Sequence, residues 1–428
     1  MRAPETDTHP RRRSRNTSPA PGDVGPREPA PRHCMVVHAR YPLTETRVQR
    51  EAEALVAAGF EVDVICLREP GELPHERSRG VEIHRLPVRL DKRSLLRQLR
   101  SYVRFMILAS VRLSKLHLRR PYGTVQVHNL PDFLVYSALV PKVQGVPVIL
   151  DLHDLMPEFF AGRFGPHGRR SVARLIRWQE RLACRFADHV ITVSEHWRQE
   201  LIRRGVPKDK CSVVMNVADE RVFARPRSPR SADGEFRLIY HGTVTQRYGL
   251  DLAMRAVALV KEEIPEVRLT ILGKGDQMPE LARLRGQLGL EEIVELHDEF
   301  RSAEDLPQFI EGADLGIVPY RNDLFTDGLL PTKLMEYAVM GIPCIAARTT
   351  AIDAYFRDTM VEFFVPGDAA DLARCIRELH MDPIRLAHLS RKSRDFTLRH
   401  NWTDIGAGYV ATIRRFSSPA RYDEPITR

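Results

Sequence analysis

The sequence predicts an α/β protein of two Rossmann-like domains with parallel sheets, closed by C-terminal helices. Three observations carry this. Short apolar strands alternate with helical stretches along most of the chain, the strand–helix–strand order that builds parallel sheets. At 428 residues the chain exceeds what one hydrophobic core usually organises. A stretch rich in Pro, Arg and Ser, residues 221–235, interrupts the alternation midway and reads as a linker.

Taken in order, residues 1–32 are rich in Pro and Arg and hold no apolar run, so they are expected to be a disordered leader, neither a signal peptide nor a membrane span. A first domain is expected over 33–220. It opens with a strand from His33 to Val37, a helix from Arg47 to Ala58 stopped by Gly59, and a strand from Glu61 to Leu67. The pattern returns with strand Val125–His128, helix Asp132–Val143 and strand Val146–Leu152. It returns again with helix Val172–Phe186, strand His189–Val193, helix Glu195–Arg203 and strand Ser212–Met215. A second domain is expected over 236–400. Its strands are Phe236–Tyr240, Arg268–Leu272, Ile293–Leu296, Leu315–Val318 and one from Cys344. Its helices are Leu250–Glu262, Pro279–Leu288, Ala303–Glu311, one after Pro331, and Ala369–His380. Residues 401–428 are expected to form a helix and tail packing back towards the first domain.

Composition excludes several classes. The six cysteines are scattered without a C-x-x-C pair, which argues against zinc and against a disulfide framework and fits a reducing cytoplasm. The chain carries +9, but placement matters more than size. Arg85 to Arg120 holds eleven Lys/Arg against one acid, Asp91. Within it, apolar and basic residues alternate at helical spacing. Leu95, Leu96, Leu99, Tyr102, Val103, Met106, Leu113 and Leu116 are expected on one face, with Arg97, Arg100, Arg104 and Arg112 towards the other. A basic amphipathic helix of this kind suits an anionic membrane surface; charges interrupt every apolar stretch, so it does not span. No nucleic-acid motif or interleaved aromatics accompany it.

The stretch with most chemical content is Asp327–Ala346, DGLLPTKLMEYAVMGIPCIA. It reads as a loop, a helix and a buried strand. A helix N-terminus offers unpaired N–H groups and partial positive charge, so it suits a phosphate. Lys333 in that first turn opposes the helix dipole, a conflict that a bound anion would remove. Glu336 lies on the same side, placed to accept from hydroxyls. After strand Phe236–Tyr240 comes the turn His241-Gly242-Thr243-Val244-Thr245-Gln246-Arg247-Tyr248-Gly249. There Gly242 lets the backbone approach a ligand and Arg247 can grip a diphosphate with two prongs. In the first half, strand Val146–Leu152 runs into His153-Asp154 and on to Glu158, and Asp132 follows another strand end. Asp132 is equally suited to cap its helix. The chain has no complete G-x-G-x-x-G, Walker loop, Gly-x-Ser-x-Gly elbow or His/Cys metal cluster, and no bound metal or cofactor is expected.

These motifs resemble the retaining glycosyltransferases of family 4, which have the GT-B architecture of two facing Rossmann-like domains. The likeness is strongest across 312–346 and extends over 236–276 and 146–158. It implies an acceptor domain at 33–220 and a nucleotide-sugar donor domain at 236–400. It implies donor binding by Gly242, Thr332, Lys333, Glu336 and Asp327, and catalytic parts for His153, Arg247 and Lys333. Asp132, Asp154 and Glu158 are candidates for orienting His153 or touching the acceptor. The family often carries two glutamates eight positions apart; Glu336 matches the second, and Gly328 stands at the first. The family's Arg and Lys of the first donor loop are Thr243 and Tyr248 here. The implied activity is transfer of a sugar from a nucleotide donor to a glycan or lipid-linked acceptor with retained configuration, in polysaccharide or glycolipid biosynthesis. The implied setting is cytoplasmic and peripheral at the inner face of a membrane reached through residues 85–120. A nucleotide-sugar epimerase of the same architecture and a catalytically silent nucleotide-binding scaffold are the alternatives.

Overall fold

Each half of the chain winds a sheet outward from its first strand in both directions. The computed structural model describes residues 30–43, 45–89, 94–164, 170–223 and 234–417. The leader to residue 29, most of the linker (224–233) and the tail from 418 lie outside the described residues. The first sheet comprises β1 Arg32–Val36, β2 Glu61–Leu67, β3 His75–Ser78, β4 Val81–Leu86, β5 Thr124–His128, β6 Val148–Leu152, β7 His189–Thr192 and β8 Cys211–Val213. Their order is β3-β4-β2-β1-β5-β6-β7-β8, parallel except for β3. The second comprises β9 Phe236–His241, β10 Val267–Leu272, β11 Val294–His297, β12 Leu315–Val318, β13 Cys344–Ala347 and β14 Glu362–Phe364, all parallel, in the order β11-β10-β9-β12-β13-β14.

In both sheets the order reverses beside the first strand, between β1 and β5 and between β9 and β12. Loops leaving these strands diverge there and open a crevice at the strand C-termini, where doubly wound sheets bind ligands. The turn His241–Gly249 leaves β9 there, Asp132 follows β5, the segment that leads to Lys333 follows β12, and His153-Asp154 follow β6 next to β5. Helix Trp402–Ser417 crosses to the first domain and packs on helix Thr46–Ala57 and on β5, with Tyr409 Oη donating to Gln126 Oε1 at 2.7 Å.

Several boundaries differ from the sequence reading. The hairpin β3–β4 was not foreseen, because its outer strand is polar (His-Glu-Arg-Ser). Its two-residue loop, Arg79-Gly80, has positive φ at both positions (48° and 83°), as a tight hairpin of right-handed twist requires. The expected helix Asp132–Val143 is a 3₁₀ segment Asp132–Ala138 followed by one α-turn. Residues 221–223, expected in the linker, close a short helix Glu220–Phe223.

The basic helix, Leu95–Arg119, is turned about its axis relative to expectation. Ser101, Phe105, Ala109, Leu113 and His117 are buried, whereas Leu96, Leu99, Val103, Ile107 and Val111 are exposed. Four-residue spacing on both sets places them on opposite faces. Arg112, expected on the outer face, reaches inward to His84 Nδ1 at 2.8 Å.

In the second domain the loops after β9 and β10 touch backbone to backbone. Gly242 N–H donates to Leu272 O and Val244 N–H to Lys274 O. A Cβ at Gly273 would lie 1.7 Å from Gly242 O, and one at Gly275 1.7 Å from Val244 O. Only glycine allows this approach. Gly275→Ala is therefore expected to force the loops apart and lower Tm by at least ~2 °C in calorimetry, the low end of the overpacking range for a domain of this size; an unchanged Tm would show that the loops part without cost.

Candidate functional site

Lys333 organises the donor side. It lies in the first turn of helix Thr332–Met340, whose N-terminus no side chain caps. The residue is buried, 7% exposed. Its Nζ donates to Tyr320 Oη at 2.8 Å and sits 4.9, 5.3 and 5.1 Å from the ring centres of Tyr240, Tyr248 and Tyr320. It forms no ion pair among the described residues. Burial pushes its pKa down to about 8, against the opposing pull of Glu336. A Cβ at Gly242 would lie 3.5 Å from Nζ, so the glycine keeps open the space before the ammonium. Glu336 faces His241 Nε2 at 2.5 Å. His241 Nδ1 meets the Tyr337 hydroxyl at 3.0 Å, and that hydroxyl donates to Ile239 O. His241, which the sequence reading did not single out, thus holds Glu336 to the end of β9.

Arg247 takes an unusual place. Its guanidinium carbon lies 5.6 Å from the ring of Phe159 in the first domain and 4.9 Å from that of Phe325 in the second, beside the edge-on contact that the two rings make with each other. Among the described residues it has no hydrogen-bond or ion-pair partner, so stacking fixes its plane and leaves its N–H edges free for an oxyanion. Burial raises the Asp154 pKa, while His153 and Arg247 oppose the shift, so Asp154 faces both.

On the first-domain side, Asp151 is the penultimate residue of β6 and fully buried. Arg47 donates to both its oxygens, Nε at 3.1 Å and Nη2 at 3.0 Å, and to Val214 O at 2.7 Å. Burial pushes the Asp151 carboxyl up, but Arg47 and the neighbouring imidazoles hold it well below the usual carboxylate range. His153 Nε2 lies 3.3 Å from Asp151 Oδ2 and 3.1 Å from His128 Nδ1. Burial alone would lower the His153 pKa; the Asp151 charge raises it. His128 is pushed down to about 4 by burial and stays neutral. Asp151 Oδ2 also lies 3.1 Å from His128 Nδ1, so the arrangement fits two imidazole N–H groups, on His153 Nε2 and on Nδ1 of a neutral His128, converging on one carboxylate oxygen. The ligand atoms of His128, Asp151 and His153 all lie within 4.8 Å of one another, a spacing a metal ion could bridge. Asp151, however, is already bonded by Arg47. Asn129 Oδ1 accepts from His153 N–H, and Asn129 Nδ2 donates to Asp132 Oδ1 and to Asp154 O. Asp132, its pKa pushed up to about 8 by burial and Glu180, therefore acts on His153 only through Asn129 and is not an N-cap.

Two expected site residues point elsewhere. Glu158 is bound by Arg204 beside Glu180 and is spent on that cluster. Asp327 Oδ1 accepts from Thr350 N–H at 2.9 Å at the start of helix Thr350–Tyr355. Thr332 is the first residue of the Lys333 helix. Gly328 has a steric cause: a Cβ there would lie 2.2 Å from the Trp197 ring of the first domain, so no glutamate fits. The sequence reading missed Glu45, whose carboxylate lies 3.9 Å from His153 Nδ1, and Arg47. A sequence signal existed for Arg47: it falls on the buried face of its helix, four residues before Glu51.

Two parallel-sheet domains whose switch-point loops meet across a charged cleft define the GT-B class. A glycosyl transferase 4-like domain matches residues 44–216, and a glycosyl transferases group 1 domain matches residues 235–382. The amylovoran biosynthesis glycosyltransferase AmsK of Erwinia amylovora is 24% identical over 216 residues, 48% of this chain and 52% of the relative, so the chain spans about half of that relative's length. A D-inositol 3-phosphate glycosyltransferase of an Arthrobacter strain is 23% identical over 385 residues, 84% of this chain and 87% of the relative. Sucrose-phosphate synthase of Thermosynechococcus elongatus superposes with a TM-score of 0.72 at 18% identity, over 90% of this chain and 98% of that one. Anabaena HepE in complex with UDP-glucose gives 0.67 at 16%, over 90% and 99%. The chain belongs to the glycosyltransferases of the GT-B, family 4 type.

Lys333 supplies a pH test. Its ammonium is the form that holds an anion, and it is charged below its pKa of about 8. Affinity for a nucleoside diphosphate should be level below that pH and fall above it by up to roughly tenfold per pH unit. Titration calorimetry from about pH 7 to 9.5 checks this; constant affinity would remove Lys333 from the anion site.

Proposed function

We propose that the protein transfers a sugar from a nucleotide-sugar donor to a glycan or lipid-linked acceptor with retained anomeric configuration, in polysaccharide or glycolipid biosynthesis. One observation carries the reading: a buried ammonium with no ion-pair partner among the described residues stands at an uncapped helix N-terminus, before a glycine that leaves its front open. A diphosphate supplies the missing charge. Structural neighbours solved with UDP and with UDP-glucose share this fold, and we extend their donor class to this chain.

In the proposed reaction the bond from the anomeric carbon to the diphosphate oxygen breaks while the acceptor oxygen bonds to the same face. The acceptor proton passes to the departing phosphate oxygen, and the anomeric carbon passes through an oxocarbenium-like state. Lys333, Arg247 and the N–H groups at Thr332 stabilise the charge developing on the diphosphate. His153 touches the donor sugar near the reacting carbon, Glu336 holds the ribose, and the closed cleft excludes water. Residues 85–120 place the enzyme at an anionic membrane surface: exposed Leu99, Val103 and Ile107 alternate with exposed Arg100 and Arg104. No described helix is long and apolar enough to cross a membrane.

Lys333→Ala and Glu336→Ala should each lower transfer by at least about 100-fold, the scale of losing one preorganised charge contact, with Tm held. The assay is product formation from the donor that stabilises the wild type among UDP-, GDP- and ADP-sugars, with the product anomer read by NMR. Full activity in both variants refutes the site. Nucleotide binding without turnover identifies a scaffold, and donor conversion without acceptor an epimerase.

A further inference from the structure

The segment that leads from β12 to Lys333 touches the first domain at two points. The rings of Phe325 and Phe159 meet edge-on, their centres 5.4 Å apart. Three residues on, Gly328 faces the edge of the Trp197 indole, where a Cβ would lie 2.2 Å from one ring carbon and 2.6 Å from two others. The backbone itself does not require glycine there, since φ at Gly328 is not positive. The ring leaves no room for a side chain, so a single added methyl overpacks the contact.

Neither side of this contact yields easily. Trp197 lies in the first turn of helix Glu195–Arg203, where its N–H donates to the capping Ser194 Oγ at 3.2 Å. Its indole is 2% exposed and belongs to the apolar core of the first domain. The Nε1–H has no partner among the described residues, so shape and not a hydrogen bond holds the ring in place. Opposite it, the Asp323 carboxylate accepts from the N–H groups of Phe325 and Thr326 at 2.8 and 2.9 Å, and the Asp327 carboxylate accepts from Thr350 N–H at 2.9 Å. Those bonds stiffen the loop just before Gly328. A further bond joins the Trp197 turn to the second domain: Glu195 N–H donates to Tyr355 Oη at 2.9 Å, at the end of the helix whose first N–H meets Asp327.

We propose that Trp197 is a positioning residue for transfer: seated on Gly328, its ring sets how closely the two domains approach and where the segment running on to Lys333 lies against the first domain. This rests on the transfer reading above. The part is indirect, through the loop: the groups assigned to the donor stand on the second domain and His153 on the first, so the spacing of the two domains is the spacing of the reacting groups. Misplacing such groups by about 1 Å costs on the order of 100-fold in rate.

The test uses the full chain. Gly328→Ala adds one methyl against the ring in a backbone that accepts it. Its kcat should fall at least about tenfold, while KM for the nucleotide-sugar stays within about twofold, because the donor groups are all on the second domain. Donor hydrolysis should rise relative to transfer, since a cleft that closes less well admits water. Trp197→Phe, a shorter ring, added to Gly328→Ala should restore kcat by at least about fivefold. A merely structural clash would lower Tm and leave the kcat and KM of the folded enzyme together, so Tm is read on each variant. A second measurement needs no turnover. The chain holds three tryptophans; with 5-fluorotryptophan, the Trp197 ¹⁹F line, assigned by its loss in Trp197→Phe, should move in Gly328→Ala and gain an H2O/D2O shift. Full kcat in Gly328→Ala, a loss that Trp197→Phe does not restore, an equal loss of donor affinity, or an unmoved ¹⁹F line would each overturn the proposal. Thermal stabilisation by UDP, GDP and ADP on the wild type separates the failures: transfer and nucleotide binding with a failed arm sink the positioning role alone, and neither in the wild type sinks the enzyme reading.

Discussion

A lysine ammonium buried among three tyrosine rings, with no carboxylate of the described residues in ion-pair contact, is the constraint from which the donor side follows. Removing an unpaired charge from water costs several kcal/mol. Cation–π contacts return about 0.5–2 kcal/mol each, and one hydroxyl accepts a hydrogen bond. The remainder appears as a lowered pKa. Neighbouring features share this logic. The helix end is left uncapped, Gly242 withholds a side chain, and the β10 loop needs Gly273 and Gly275 so that the β9 loop can lie beneath it. The site is preorganised for an anion before any anion arrives.

The first domain solves the opposite problem. Asp151 is as buried as Lys333, yet Arg47 neutralises it inside the fold, with two bonds to the carboxylate and one to the backbone at Val214. A buried pair of this kind contributes little net stability but fixes geometry. Here it fixes the end of β6, and with it the loop that carries His153 and Asp154. Asp132 and Asn129 brace that loop from the other side. Positions 47 and 129, which hold no ligand atom in the proposed reaction, therefore govern where the imidazole points.

The two sheets and the helix that carries Lys333 were legible because their signals are local: apolar runs, Gly stops, a Pro before a first turn. Strand β14 and helix Thr350–Tyr355 went unread, and three further features were not legible for identifiable reasons. The polar strand β3 has no apolar period, since it packs at an edge and a hairpin loop supplies its reason to exist. The basic helix has apolar residues on nearly every side, so its sequence fits more than one rotation, and only contact with the 3₁₀ segment Asp132–Ala138 and the sheet selects Phe105, Ala109 and Leu113 as the inner row. Partners across the cleft were invisible for a third reason. Trp197 against Gly328, and Phe159 against Arg247, join residues of different domains, and no spacing rule relates them.

Those partners also give the cleft a direction. Cationic groups gather on the second domain, at Lys333 and Arg247, and carboxylates on the first, at Glu45 and Asp154, with His153 between. Breaking the donor bond moves negative charge onto the diphosphate and positive charge onto the sugar. A field running from the cationic side to the acidic side favours that separation without rearranging at the moment of reaction, which is how fixed charges lower a barrier in a site that excludes water. Arg247 belongs to both halves of this argument. Its guanidinium lies near one ring from each domain, so the cation assigned to the departing phosphate in the proposed reaction takes one of its two ring contacts from the opposite domain. Phe159 thereby ties the positive end of the field to the domain that carries the negative end.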